Sequence, residues 1–173
     1  MVSLIRNCDL RKDKTTFGIV DAQSVQNADT AEEKGYDAGK KVSGIKRHIV
    51  VDTQGLPHAV IVTTADVTDR NGALEMLTLN LDNLSCVKKF LFDGGYTGEK
   101  FAASVKEICG ADAQIVKRDE LHKFVVLPRR WVVERTFGWL DKSRRLWKNC
   151  ERKLSSSCQM TVLALVSTLI KRF

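Results

Sequence analysis

Short apolar runs and helically spaced segments, separated by polar, glycine-punctuated stretches, share the chain up to about residue 117, and helical spacing alone follows. Phe17-Gly-Ile-Val-Asp21 is an apolar run that ends in an acid, and it predicts a first strand, with Val25 closing the segment. Residues 26 to 44 are polar and rich in glycine, which predicts a loop. Ile45 to Thr53 and Leu56 to Thr64 carry Val and Ile on either side of Asp-Thr-Gln-Gly, the pattern of a hairpin. Leu74, Leu77 and Leu81 then recur at helical spacing, predicting a helix from about Arg70 to Leu81 with Asp69 as its N-cap. Val87 to Asp93 predicts a buried strand that stops abruptly at Gly94-Gly95. Phe101, Val105 and Ile108 mark one face of a helix from Glu99 to about Cys109, and Ala113 to Lys117 predicts a fifth strand.

A polar turn follows at Asp119 to Lys123, and Pro128 suits the start of the next helix. On that helix and just beyond, Trp131, Phe137, Leu140 and Trp147 supply much of the apolar surface. Cys158 to Phe173 predicts a packing helix. Residues 1 to 16 are polar and basic without a clear period, and they read as an irregular lead-in to one domain over residues 17 to 173. The order predicts an α/β fold: a mixed five-stranded sheet whose first three strands are antiparallel, flanked by helices on both faces.

Charge changes this picture. The chain carries a formal +7, and between Lys117 and Lys153 twelve Lys and Arg face five acids, a surplus equal to the whole net charge. A concentrated basic segment suits a polyanion, most often nucleic acid, although a charge run also serves as a solvated helix face. Lys40, Lys41, Lys46 and Arg47 gather around a second glycine-rich stretch, where Tyr36 offers an aromatic ring for stacking. The five cysteines form no C-x-x-C pair, which argues against a disulfide framework and a zinc site and favours a reducing compartment. The start has no signal-peptide pattern, and Met160 to Ile170 is too short to span a bilayer, so no membrane role is expected and the chain reads as cytoplasmic. His48 and His58 lie inside strand patterns, where a structural role is expected.

Three acids stand out. Asp21 and Asp93 each end an apolar run, and Glu134 lies on the helix after the fifth strand. If the first and fourth strands are parallel neighbours, both aspartates emerge at one end, where open α/β sheets place their ligands. Three clustered acids repel unless a divalent cation sits among them, and carboxylates suit Mg²⁺ or Mn²⁺. Two such ions can drive in-line displacement at phosphorus. The plainer roles are an Asp93 that satisfies turn backbone and a Glu134 that pairs with Arg130 one turn away.

The residues then meet a family. I-V-D-A-Q-S-V (19–25), G-Y-D-A-G-K-K-V-S-G-I-K-R-H-I-V-V-D-T (35–53), A-D-V-T-D-R (65–70), F-D-G-G-Y (92–96) and V-L-P-R-R-W-V-V-E-R-T-F-G-W-L (126–140) resemble, in order, the catalytic domain of bacterial insertion-sequence transposases of the DDE class. The resemblance implies a ribonuclease H-like fold and Asp21, Asp93 and Glu134 as the catalytic, metal-binding triad for two Mg²⁺ or Mn²⁺ ions. It implies DNA cleavage at transposon ends, strand transfer by the freed 3′-hydroxyl, and a homodimer or larger assembly on DNA at the nucleoid. The family's Tyr-Arg-Glu-Lys signature is matched at Arg130 and Glu134, but Leu127 and Asp141 hold its Tyr and Lys positions. Lys142 or Arg145 is then expected to contact end phosphates, with Arg144 and Arg130 beside them. Family members usually carry a helix-rich DNA-binding region before the first Asp, whereas twenty residues precede it here, so a separate upstream region is an expected partner. Two other functions fit the same residues: a truncated, non-catalytic DNA-binding regulator of transposition, and a general nuclease of this fold.

Overall fold

The computed structural model describes residues 1–116 and 130–171. The expected polar turn at Asp119 to Lys123 and the helix start at Pro128 lie outside them. Among the described residues a six-stranded mixed sheet is covered on both faces by helices. The strands are β1 (Phe17–Gln26), β2 (Gly35–Asp37), β3 (Val42–Val51), β4 (Pro57–Thr64), β5 (Lys89–Asp93) and β6 (Asp112–Val116). The helices are α1 (Val2–Cys8), α2 (Asp69–Leu79), α3 (Leu81–Leu84), α4 (Glu99–Cys109), α5 (Arg130–Asp141) and α6 (Leu154–Ile170).

The strand order is β2-β3-β1-β5-β6, with β4 also paired to β3. β3 is antiparallel to both β1 and β4, in line with the hairpin pattern, while β5 pairs parallel to both β1 and β6. The short β2 is the sixth strand, inside the stretch expected to be loop, and pairs Gly35–Asp37 with Val42–Gly44. Its residues lack an apolar period, so only the pairing across the short turn to β3 reveals it.

Alternation along each strand divides the core in two. Val20, Val50, Phe90 and Phe92 face Ala73, Met76 and Leu77 of α2 and Phe101 and Val105 of α4. Ile19, Ile49, Val51 and Leu91 face Val132, Val133, Phe137 and Leu140 of α5 and Leu165 of α6. Each such buried Val, Leu, Ile, Phe or Met side chain contributes about 1.5–3 kcal/mol. Trp131 and Trp147 depart from the expected apolar packing: they are 56% and 65% exposed, whereas Phe137 and Leu140 are buried.

Three further boundaries differ from the sequence pattern. β1 runs five residues past Asp21, because β3 pairs with it as far as Gln26. Thr68, not Asp69, caps α2: its hydroxyl accepts from the Asn71 amide at 3.2 Å, and Asp69 lies in the first turn. The lead-in is not irregular throughout. It forms α1, whose Ile5 packs on Leu56 and Leu169, and whose Arg6 reaches the buried carboxylate of Asp52.

Candidate active site

Parallel pairing of β1 with β5 sets Ile19 level with Leu91. The parallel pairs end there; Asp21 and Asp93 each lie two residues further along their strands and share the alternation phase of Ile19 and Leu91. Both aspartates therefore point to the face that α5 and α6 cover. β5 ends at Asp93 because Gly94–Tyr96 turns at once into a single 3₁₀ turn. Asp93 caps that turn, with Oδ1 accepting from the Gly95 amide at 2.8 Å, so the plainer role expected of it is also present. Asp21 Oδ1 accepts from the Ala22 amide at 2.8 Å. Both aspartates are half-buried.

Glu134 is exposed on α5, next to Val133 and one turn from Phe137, both of which anchor that helix on the sheet. The Arg130 side chain lies outside the described residues. The placement of α5 has a second support. Gln23, two residues beyond Asp21, donates from Nε2 to both carboxylate oxygens of Asp141 at 3.0 and 2.9 Å. Arg47 is buried behind this contact and donates to the Leu146 carbonyl at 2.7 Å and to Gln23 Oε1 at 3.4 Å. Burial pulls the Arg47 guanidinium down to about 10 against the opposing pull of Asp141. The contact between Gln23 and Asp141 has no sequence pattern of its own; Asp141 in the family's Lys position is the one signal of it.

The basic residues divide. Arg47 and Lys46 correct the expectation of DNA contact, since both are buried and spend their charge inside the protein. Lys46 pairs with Asp69 at 2.8 Å and Asp37 at 3.2 Å, and donates to the Val67 carbonyl at 2.8 Å. Burial alone would raise the Asp37 carboxyl, but hydrogen bonds from Ser24, the Lys40 amide and Lys46 hold it at about 2. Lys40 is exposed, yet its ammonium donates to the Ala22 carbonyl at 3.1 Å and lies 3.5 Å from Asp69. Lys41, Lys142 and Arg144 are exposed. Arg145 is exposed and donates to Glu151 at 2.8 Å. Tyr36 is exposed beside Lys40 and Lys41. On α5, the Arg135 guanidinium lies between the rings of Trp131 and Trp139, 4.7 and 4.8 Å from their centres.

Among the described residues, no three Asp, Glu, His or Cys side chains are grouped to hold a metal ion. In donor type alone, Asp21, Asp93 and Glu134 fit a hard divalent cation, since all three offer carboxylate oxygens.

The family model of the transposase DDE domain matches residues 12–169. The chain belongs to the DDE transposase family. This DDE domain is also 34% identical, over 117 residues, to a putative transposase for insertion sequence element IS402 of Burkholderia cepacia, an alignment covering 64% of this chain and 55% of that protein. Among solved structures it is similar to a chain of the simian T-cell lymphotropic virus intasome in complex with PP2A regulatory subunit B56 gamma. That likeness has a TM-score of 0.57 at 15% identity, over 88% of this chain and 47% of the other. It shows a ribonuclease H-like fold, as expected from the sequence. The DDE domain thus spans about half the length of the relatives it matches. No helix among its described residues is long and apolar enough to cross a membrane.

Proposed function

We propose that this domain catalyses metal-dependent cleavage of DNA at insertion-sequence ends and transfers the freed 3′ end to target DNA. The observation that carries the reading is that Asp21 and Asp93 each lie two residues past the last parallel pair of adjacent strands, on the face covered by the helix that bears Glu134. Family membership and the likeness to an insertion-sequence transposase support it.

Asp21, Asp93 and Glu134 would hold two Mg²⁺ or Mn²⁺ ions. Bound there, such ions supply an activated hydroxyl and charge stabilisation at the leaving oxygen. The protein's own part is positioning. The Ala22 and Gly95 amides orient the two aspartates, and the Gln23–Asp141 contact holds α5 over their strands. Lys41, Lys142 and Arg144, all exposed, take up DNA phosphates. Because two ends must be joined, the working form is a homodimer or larger assembly on DNA, acting at the nucleoid, and end recognition draws on a separate upstream region.

Nicking of supercoiled plasmid with Mn²⁺, Mg²⁺ or EDTA tests this, beside Asp93→Asn. The expected outcome is metal-dependent nicking that the substitution abolishes while DNA binding persists. Nicking at the wild-type rate in Asp93→Asn sinks the triad. Nicked product without joining of a donor 3′ end identifies a general nuclease instead. DNA binding without any nicking by the wild-type chain favours a non-catalytic regulator.

A further inference from the structure

A cleft of about 790 Å³ opens between the β2–β3 tip and the start of α2, lined by Tyr36, Lys40, Asp69, Arg70 and Gly95 among others. Two of its basic side chains reach backbone that touches the acids. Arg70 Nε donates to the Gly95 carbonyl at 3.2 Å, and the amide of the same Gly95 donates to Asp93 Oδ1 at 2.8 Å. Lys40 Nζ donates to the Ala22 carbonyl at 3.1 Å, and the amide of the same Ala22 donates to Asp21 Oδ1 at 2.8 Å. One arrangement thus occurs twice, from different elements and at different strands. A basic side chain grips a residue's C=O while that residue's N–H aims an aspartate.

We propose that Lys40 and Arg70 are positioning residues that set the carboxylates of Asp21 and Asp93 through Ala22 and Gly95. This rests on the reading of both aspartates as metal-holding acids. A charged donor on a carbonyl fixes where the rest of that residue lies more firmly than a neutral one does. Partners one step removed from a metal commonly govern its affinity. Both side chains also line the cleft. The Lys40 ammonium also lies 3.5 Å from Asp69.

The test compares the full chain with Arg70→Gln, Arg70→Lys, Lys40→Gln and Lys40→Arg, each checked for fold by circular dichroism. In metal-free ¹⁵N-labelled protein, Arg70→Gln is expected to shift the Gly95 amide proton and speed its exchange, and Lys40→Gln to do so at Ala22. Each substitution leaves the other amide in place, and Lys40→Arg and Arg70→Lys restore most of the effect. The Mn²⁺ concentration for half-saturation, read by electron paramagnetic resonance of free Mn²⁺, is expected to rise about tenfold in either Gln variant. DNA affinity in EDTA stays unchanged. Unmoved Gly95 and Ala22 amides overturn the proposal, and if DNA affinity falls with them the two residues are phosphate contacts instead. Amides that move while Mn²⁺ affinity does not also overturn it. A wild-type chain that holds no Mn²⁺ counts against the metal reading itself, while the amides still decide whether Lys40 and Arg70 position the acids.

Discussion

His48 shows what one buried residue costs and supplies. Its ring is fully enclosed, and burial pulls it down to about 4 from 6.5, with Asp69 opposing the pull and Lys46 and Lys40 adding to it. The Thr63 hydroxyl donates to the Thr64 carbonyl at 3.1 Å, so it accepts from His48 Nε2 at 3.0 Å and the ring stays neutral. A base depressed in the folded state leaves the unfolded chain binding the extra proton between these two values. Stability therefore falls as pH drops from about 6.5 to about 4, by about 3 kcal/mol at most. Urea unfolding across that window should show the loss in the wild type and a flatter profile in His48→Gln. Asp37 works in a separate window. With its folded value near 2, its contribution is present above 3.8 and lost as pH falls from there towards 2. Asp52 is enclosed with Arg6 and also accepts from Arg11 at 3.0 Å, a buried pairing across 46 residues of sequence that no local pattern announces.

α2 lies so close to β3 that Gly72 meets the His48 ring: a Cβ built there would stand 2.1 Å from Cε1. Gly72→Ala should push the helix off the sheet and cost about 1–3 kcal/mol, read as a lower urea midpoint with the slope unchanged. Elements whose cause is local were legible in the sequence. α4 ends at Cys109 as its spacing predicts, closed by Gly110 at φ +67°, and the β3–β4 hairpin follows its Val and Ile runs around Asp-Thr-Gln-Gly. Elements whose cause is distant were not. α1 owes its place to Leu56, Leu169 and Asp52, and the second half of β1 owes its pairing to β3. The same division runs through the candidate site. Asp21 and Asp93 were visible as acids ending or interrupting apolar runs. Lys46 and Arg47 look like surface cations in the sequence and are buried by partners at Asp37, Asp69 and Leu146 that only the folded chain supplies.

Across the whole molecule, charge and topology pull apart. The surplus of positive charge is concentrated after residue 116, while two of the three acids come from the strands before it. If Lys142 and Arg144 each neutralise one phosphate, the double substitution to Ala should lower the slope of log K against log salt by about 1.8. An unchanged slope would make them solvated surface cations. The parallel pairing of Phe17 with Lys89 joins strands whose paired residues lie far apart in sequence. Its consequence reaches back to synthesis on the ribosome. A nascent chain that has emerged only through the β3–β4 hairpin already carries Asp21, but neither its companion at 93 nor the helix with Glu134. On the proposed reading, no growing fragment can nick the genome that encodes it. The capacity to cut arrives only when the segment that bears Glu134 has been made and folded back over the first strand.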